Sequence, residues 1–191
     1  MPVTKLINKA GLESNFDHGA ATHPRWTGLA MFSSVFLRLA LGISFLSAVA
    51  DRFGLWGAYG QPNVAWGNYV RFVNYTAKLN WFVPAGMIPA LAIVATAAEI
   101  LFGILLVLGW KTRTTALLSG VLLTTFALTM TMALGVKAPL DLSVFSAAGG
   151  ALLLGAFANF PLSLDEFLRE NRGRKGSPPK TAGGWLAARV G

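Results

Sequence analysis

The chain has 191 residues, 54% hydrophobic and only 13% charged, with a mean hydropathy of +0.55, well above the apolar share of a water-soluble domain. It contains no cysteine, which excludes disulfides, thiolate metal sites, iron–sulfur clusters and cysteine nucleophiles. The formal charge of +8 lies mostly in short segments flanking apolar runs, where basic residues set membrane topology, and this argues against nucleic acid as a partner.

Residues 1–27 read as a polar N-terminal tail carrying Lys5, Lys9, Glu13, Asp17 and Arg25, with no apolar core of the kind a signal peptide has. His18 and His23 are the two histidines of the chain, and their spacing in this tail does not put both on one helical face, so no metal or haem site is expected. The first span is expected over residues 28–50, long enough to cross a hydrocarbon core of about 30 Å. It carries Arg38, which shares a face with Gly42, Phe45 and Val49, whereas Ser44, Ser47 and Asp51 fall on nearly the opposite face.

Residues 51–86 form a long connection dense in glycine and aromatic residues, among them Trp66, Tyr75, Trp81 and Phe82. After Pro62, the positions Trp66, Tyr69, Val70, Val73 and Ala77 recur at helical spacing opposite Arg71, Asn74 and Lys78, which predicts a short amphipathic helix lying along the membrane surface. The rings read either as an interfacial anchoring belt or as the roof of a pocket for a flat hydrophobic ligand such as a quinone, with Trp66, Tyr75, Trp81 and Phe82 as its candidate residues.

The second span, residues 86–108, contains a single carboxylate, Glu99. A bare carboxylate in hydrocarbon costs a few kcal/mol, so Glu99 requires a partner or a proton. On the helix it shares a face with the small residues Ala92, Ala95, Thr96 and Gly103 and therefore points at protein. Counted inward from Gly28, Arg38 lies about ten residues deep; counted back from Leu108, Glu99 lies about nine residues deep on an antiparallel helix. Arg38 is accordingly the expected partner, either as an ion pair that fixes helix order or as a proton or ligand site with Glu99.

A third span is expected over 114–134, threaded with Thr115, Ser119, Thr124, Thr125, Thr129 and Thr131, whose hydroxyls can bond to their own helix or to a neighbour. A fourth is expected over 140–158, with Asp141 at its start satisfying first-turn amides and the helix dipole. Ser163 and Glu166 have capping-box spacing ahead of a short surface helix at 161–170, and the basic segment 171–191 is expected to be disordered, with Trp185 to Val190 touching lipid. The whole is an all-α integral membrane four-helix bundle, its membrane domain spanning 28–160. Apart from Arg38 within the first span, basic residues cluster in both tails and in the Lys111–Arg113 turn, leaving only Arg52, Arg71, Lys78 and Lys137 for the other side, which places both termini in the cytoplasm and the aromatic loop outside.

Four stretches carry a family resemblance: RLALGISFLSAVADRFG from Arg38, FVNYTAKLNWFVPAGMIPALA from Phe72, AEILFGILLVLGWKTRTTALLSG from Ala98 and FPLSLDEFL from Phe160. Together they resemble the DoxX family of small four-helix bacterial membrane proteins over roughly residues 31–168. The family's recurrent Arg-Leu opening and its Glu, Gly, Leu-Gly, Thr-Arg series fall on Arg38, Glu99, Gly103, Leu108, Gly109, Thr112 and Arg113. A Gly or Lys is often seen in the family near the end of the first helix, where this chain has Ala50, Asp51 and Arg52. The resemblance implies the bacterial inner (plasma) membrane and similarity to the DoxD-like membrane subunit of a thiosulfate:quinone oxidoreductase. It further implies a quinone-linked or redox-associated subunit acting with a catalytic or respiratory-complex partner protein, in the lipid bilayer and open to oligomer formation. Two other functions are compatible with the residues: a non-catalytic accessory subunit packed in a larger assembly, and a small proton-coupled transporter in which Glu99 cycles its proton.

The basic-residue asymmetry yields a direct test of orientation. An alkaline phosphatase reporter fused after Gly191 is expected to be inactive and one inserted near Gly60 active; the reverse pattern would overturn the assignment of both termini to the cytoplasm.

Overall fold

The computed structural model describes residues 28–157 and 160–176, and all regular structure among them is helical. In chain order the helices are α1 (Gly28–Arg52), α2 (Tyr69–Leu79), α3 (Ile88–Leu108), α4 (Thr112–Leu134), α5 (Lys137–Asp141), α6 (Val144–Ala156) and α7 (Leu164–Gly176), with a single 3-10 turn over Ala85–Met87 leading into α3. Three of these segments, Gly28–Arg52, Ala85–Leu108 and Thr112–Leu134, are long and apolar enough to cross a membrane. The expected tail at 1–27 and the residues beyond 176 lie outside the described part of the chain.

Helices α1, α3, α4 and α6 pack in a ring, each against the next, with α6 returning to α1. Two of the four seams are much tighter than the others, and glycines set both. A Cβ on Gly42 of α1 would lie 2.9 Å from the Gly103 carbonyl oxygen of α3, and one on Gly103 would lie 2.9 Å from the Leu46 side chain. On the other side of the bundle, Leu152 of α6 seats over Gly120 of α4 and Leu117 of α4 over Gly155 of α6, each 2.6 Å from where a Cβ would be. Small residues thus let backbones approach in a solvent of lipid, where packing rather than hydrophobic expulsion drives association. The small face read from the sequence, Ala92, Ala95, Thr96 and Gly103, is buried inside the bundle. Bulky apolar residues such as Phe36, Ile43, Val94, Leu101, Val121 and Met132 face outward, as a lipid-facing surface requires.

Several sequence expectations are corrected. The fourth span, expected as one helix over 140–158, is broken: α5 ends at Asp141, Ser143 takes a left-handed conformation with φ of 55°, and α6 begins at Val144. Asp141 therefore ends a short helix rather than opening a long one, and it pairs with Lys137 one turn earlier, both side chains exposed. Helix α2 exists where amphipathic periodicity placed one, capped by Asn68 accepting from the Arg71 amide, but its buried stripe is Phe72, Thr76 and Leu79, while Val70 and Ala77 are exposed. The expected disorder from 171 onward does not hold for 171–176, because α7 continues through Gly176. The α4 hydroxyls of Thr124, Thr125, Thr129 and Thr131 all donate to carbonyls of their own helix three or four residues back.

At the end of the bundle opposite α2, α7 is latched to the α3–α4 turn. Gly109 turns left-handed with φ of 70° and receives no side chain, since a Cβ there would meet Arg38 Nη1 at 2.7 Å and Ser163 Cα at 2.9 Å. The Asp165 carboxylate accepts from the Lys111 and Thr112 amides, both at 2.8 Å, and so caps α4 from another helix, while the Asp165 amide donates to the Gly109 carbonyl at 3.1 Å. Ser163 caps α7 as the spacing predicts, its Oγ accepting from the Glu166 amide, while the Glu166 carboxylate reaches one residue past the cap and accepts from the Leu162 amide.

These seams predict the outcome of two alanine substitutions. Gly42→Ala forces backbone apart at the α1–α3 crossing and is expected to destabilise by about 1–3 kcal/mol. Gly149→Ala meets nothing within 4 Å and is expected to change stability by less than about 0.5 kcal/mol, both read from thermal melts of detergent-solubilised protein.

Candidate functional site

The last residue of α1 and the middle of α3 meet through an ion pair. Arg52 Nη2 donates to both carboxylate oxygens of Glu99 at 2.7 Å, and Arg52 Nη1 donates to Thr96 Oγ1 at 3.0 Å. The Thr96 hydroxyl spends its own proton on the Ala92 carbonyl at 2.8 Å, which leaves its lone pairs for the guanidinium. Arg52 and Glu99 are 3% and 2% exposed, so the pair is sealed from outside. Arg52 Nε is buried with no partner, and the guanidinium is therefore one acceptor short.

The pair is not the one anticipated from the sequence. Gly42 lies beside Gly103, so at about 1.5 Å per residue Arg38 is level with Val107, roughly 12 Å along the bundle from the level of Glu99. Helical side chains also lean toward their own N-terminus. In antiparallel α1 and α3, Arg52 and Glu99 therefore lean toward each other, whereas Arg38 leans away. Arg38 instead donates from Nη2 to the Leu162 carbonyl at 2.7 Å and from Nη1 to the Pro161 carbonyl at 3.4 Å. It holds the approach to α7 and does not reach Glu99.

Aromatic rings close the other side of Arg52. Its guanidinium carbon stands 3.7 Å from the centroid of Phe72 and 5.3 Å from that of Trp66. Trp66 meets Phe72 edge-on at 5.4 Å and Tyr75 at 6.1 Å. Asp51, buried next to Arg52 in sequence, sets the position of Trp66: its Oδ2 accepts from the Ala65 and Trp66 amides, both at 3.0 Å. Burial pushes the Tyr75 phenol up from its usual range, so it stays protonated and able to donate at neutral pH.

Between the two tight helix pairs lies a cavity of about 510 Å³, lined almost wholly by apolar side chains of α1, α2, α3, α4 and α6. Arg52, Glu99, Trp66, Phe72 and Tyr75 all line it. Of the four rings singled out in the sequence, the structure brings Trp66 and Tyr75 to the cavity and leaves Trp81 and Phe82 out of it. Those two stack edge-on with each other after α2 and are 69% and 52% exposed. Phe72, Asp51 and Arg52 are the site residues the sequence reading did not bring to Glu99, whereas Thr96 was placed on its face. A signal for Arg52 was present, since it falls within about 40° of Arg38 on the α1 wheel, on the face that meets α3.

The arrangement offers an apolar slot with one charged, hydrogen-bonding end and a wall of flat rings, the shape of a site for a planar ligand bearing a polar acceptor. Among known proteins, the DoxX family model matches residues 33–132 of this chain. No curated protein and no solved structure gives a match.

The ion pair carries its own test. Removing one member leaves the other charge buried, so Arg52→Ala or Glu99→Ala is expected to cost about 3–5 kcal/mol, and the double change to Met and Gln less than either. Arg38→Met combined with Glu99→Gln is expected to be additive to within about 0.5 kcal/mol in thermal melts, because the two do not touch.

Proposed function

This chain belongs to the DoxX family of membrane proteins, and from that premise we propose that it is the quinone-binding membrane subunit of a redox-linked complex in the bacterial inner membrane. The observation that carries this reading is the cavity that ends on the Arg52–Glu99 pair beneath Trp66, Phe72 and Tyr75. The fit of a quinone head group to these residues rests on three features. The lining is apolar, the rings offer stacking faces, and Arg52 has a buried N–H without an acceptor.

When bound, a quinone supplies a two-electron, two-proton acceptor; the electrons come from a partner protein. The work of this chain is to bind and orient. Arg52, held by Glu99 and Thr96 and clamped against Phe72, presents a fixed positive charge toward a carbonyl oxygen at no cost of reorganisation. Glu99 is the acid–base group within reach of that end of the cavity, and the Tyr75 hydroxyl is a second donor on its wall. Asp51 acts through Trp66 by fixing the segment that carries it.

An accessory role remains the alternative of a different class, but the small-residue face of α3 that would have served it is consumed inside the bundle. The transporter alternative draws support from one feature, the break between α5 and α6, since Leu142 and Val144 on its two sides both line the cavity.

A short-chain quinone analogue is expected to raise the melting temperature of the purified protein, by the equivalent of about 2.7 kcal/mol at a hundredfold excess over Kd. Arg52→Met, Glu99→Gln and Phe72→Ala should each shrink that shift, measured against each variant's own ligand-free melt. Trp81→Ala should leave it unchanged, since Trp81 does not line the cavity. No shift with any quinone in the unsubstituted protein would sink this reading.

A further inference from the structure

Of the α1 residues that line the cavity, Leu37, Ala40, Ser44 and Ala48 form one stripe along the side nearer α6. At its lower end, toward α7, the wall between α1 and α6 is shut: a Cβ on Gly150 would stand 3.2 Å from a Leu37 methyl. Higher up, toward α2, the wall changes on both sides. On α1 the stripe offers only the small side chains of Ala40, Ser44 and Ala48. Opposite, the chain is no longer a continuous helix but the break at Leu142–Ser143.

The depth of that break follows from the α4–α6 seam. Gly120 faces Leu152 and Leu117 faces Gly155, so Ser143 is level with Thr129, and α4 runs on for five more residues to Leu134, roughly 8 Å. Irregular backbone at such depth is tolerated in a membrane where it is buried in protein or lines a cavity, and here Leu142 and Val144 line the cavity.

Ser44 and Leu142 each line the cavity and are each exposed, Leu142 to 66%. On the α1 wheel Ala40 and Ser44 form the edge of the cavity stripe nearest the lipid-facing Phe36 and Ile43, so that Ser44 reaches both surfaces. Residues that belong to both surfaces mark a mouth, and these come from the two facing elements of one wall. The opposite wall has a similar pair, Leu91 and Thr125, but α2 packs across α3 and α4 on that side.

We infer that the slot between α1 and the α5–α6 break is a lateral mouth through which the ligand enters from the bilayer and in which its hydrocarbon tail remains, so that the ligand is a long-tailed, lipid-dissolved quinone. This rests on the quinone reading of the cavity. The head group lies at the Arg52 end, the tail follows the stripe of small residues on α1, and the rest of the tail stays in lipid without crossing any polar surface.

The test uses the full chain in nanodiscs and two quinones with one head group, the first without a tail and the second with several isoprene units. Ser44→Trp fills the mouth and is expected to weaken the long-tailed compound by about tenfold or more while changing the tailless one less than about twofold. Val121→Trp, on the lipid-facing side of α4 and outside the cavity lining, is expected to leave both unchanged. Should Ser44→Trp fail to fold, Ala40→Leu narrows the same slot and should show the same discrimination at smaller size. Loss of both compounds alike, loss of neither, or a tail-selective loss with Val121→Trp would each overturn the lateral mouth while leaving quinone binding standing. Binding of neither compound by the unsubstituted protein would overturn both.

Discussion

A guanidinium drawn out of water at the end of α1 is the constraint on which the α2 end of this molecule depends. Burying it is costly, and one carboxylate offsets that cost only with good geometry and with its remaining donors engaged. The chain supplies the geometry and engages both terminal nitrogens, leaving only Nε buried without a partner. Glu99 takes two hydrogen bonds from one nitrogen, Thr96 takes one from another, and Phe72 covers the face of the group. Each partner comes from a different place: Glu99 and Thr96 fix α3 against α1, and Phe72 brings α2 over the end of the bundle. Asp51, one residue before Arg52, ties down the loop that returns to α2. Two adjacent residues at a helix end therefore organise about forty residues of chain after them.

The second constraint is the pairing of helices. Antiparallel α1–α3 and α4–α6 each close through glycines that accept a large side chain from the partner. Where such seams are tight, the contact between the two pairs is set by bulkier residues and cannot be equally close all round. Space is left in the middle, near the α2 end, and the ion pair at its edge makes that space chemically asymmetric. Apolar walls would hold any hydrophobic molecule; a charged end gives it a direction.

Much of the bundle was legible in the sequence. The lengths of the first three spans, the small-residue face of α3, the Ser163 cap of α7 and the existence of α2 all follow from composition and spacing, which local sequence determines. What was not legible depended on register. Depth counted from the ends of apolar runs assumed that α1 starts at the membrane edge and that side chains project straight out. Both assumptions favoured Arg38 over Arg52 as the partner of Glu99. The offset of Gly42 on Gly103 and the lean of helical side chains reverse that choice, and neither is visible in one sequence read one helix at a time. The break in the fourth span was hidden for a related reason: Ser143 is flanked directly by Leu142 and Val144, both apolar, and a left-handed serine has no compositional mark. The candidate rings divided in the same way, with Tyr75 brought to the cavity by α2, Trp66 by the loop that Asp51 holds, and Trp81 and Phe82 left beyond the end of α2.

The position of Arg38 has a consequence for how the chain is made. Its carbonyl partners at Pro161 and Leu162 are 123 and 124 residues further along. At a synthesis rate of about 5–20 residues per second, roughly 6–25 seconds separate the emergence of Arg38 from that of its acceptors. Arg52 waits less than half as long for Glu99, which follows it by 47 residues. The two buried arginines are thus satisfied in the reverse of their order in the chain. The first to leave the ribosome is the last to find its acceptors, and a nascent chain that stalls before residue 161 presents a membrane-inserted cation whose hydrogen bonds only a completed one supplies.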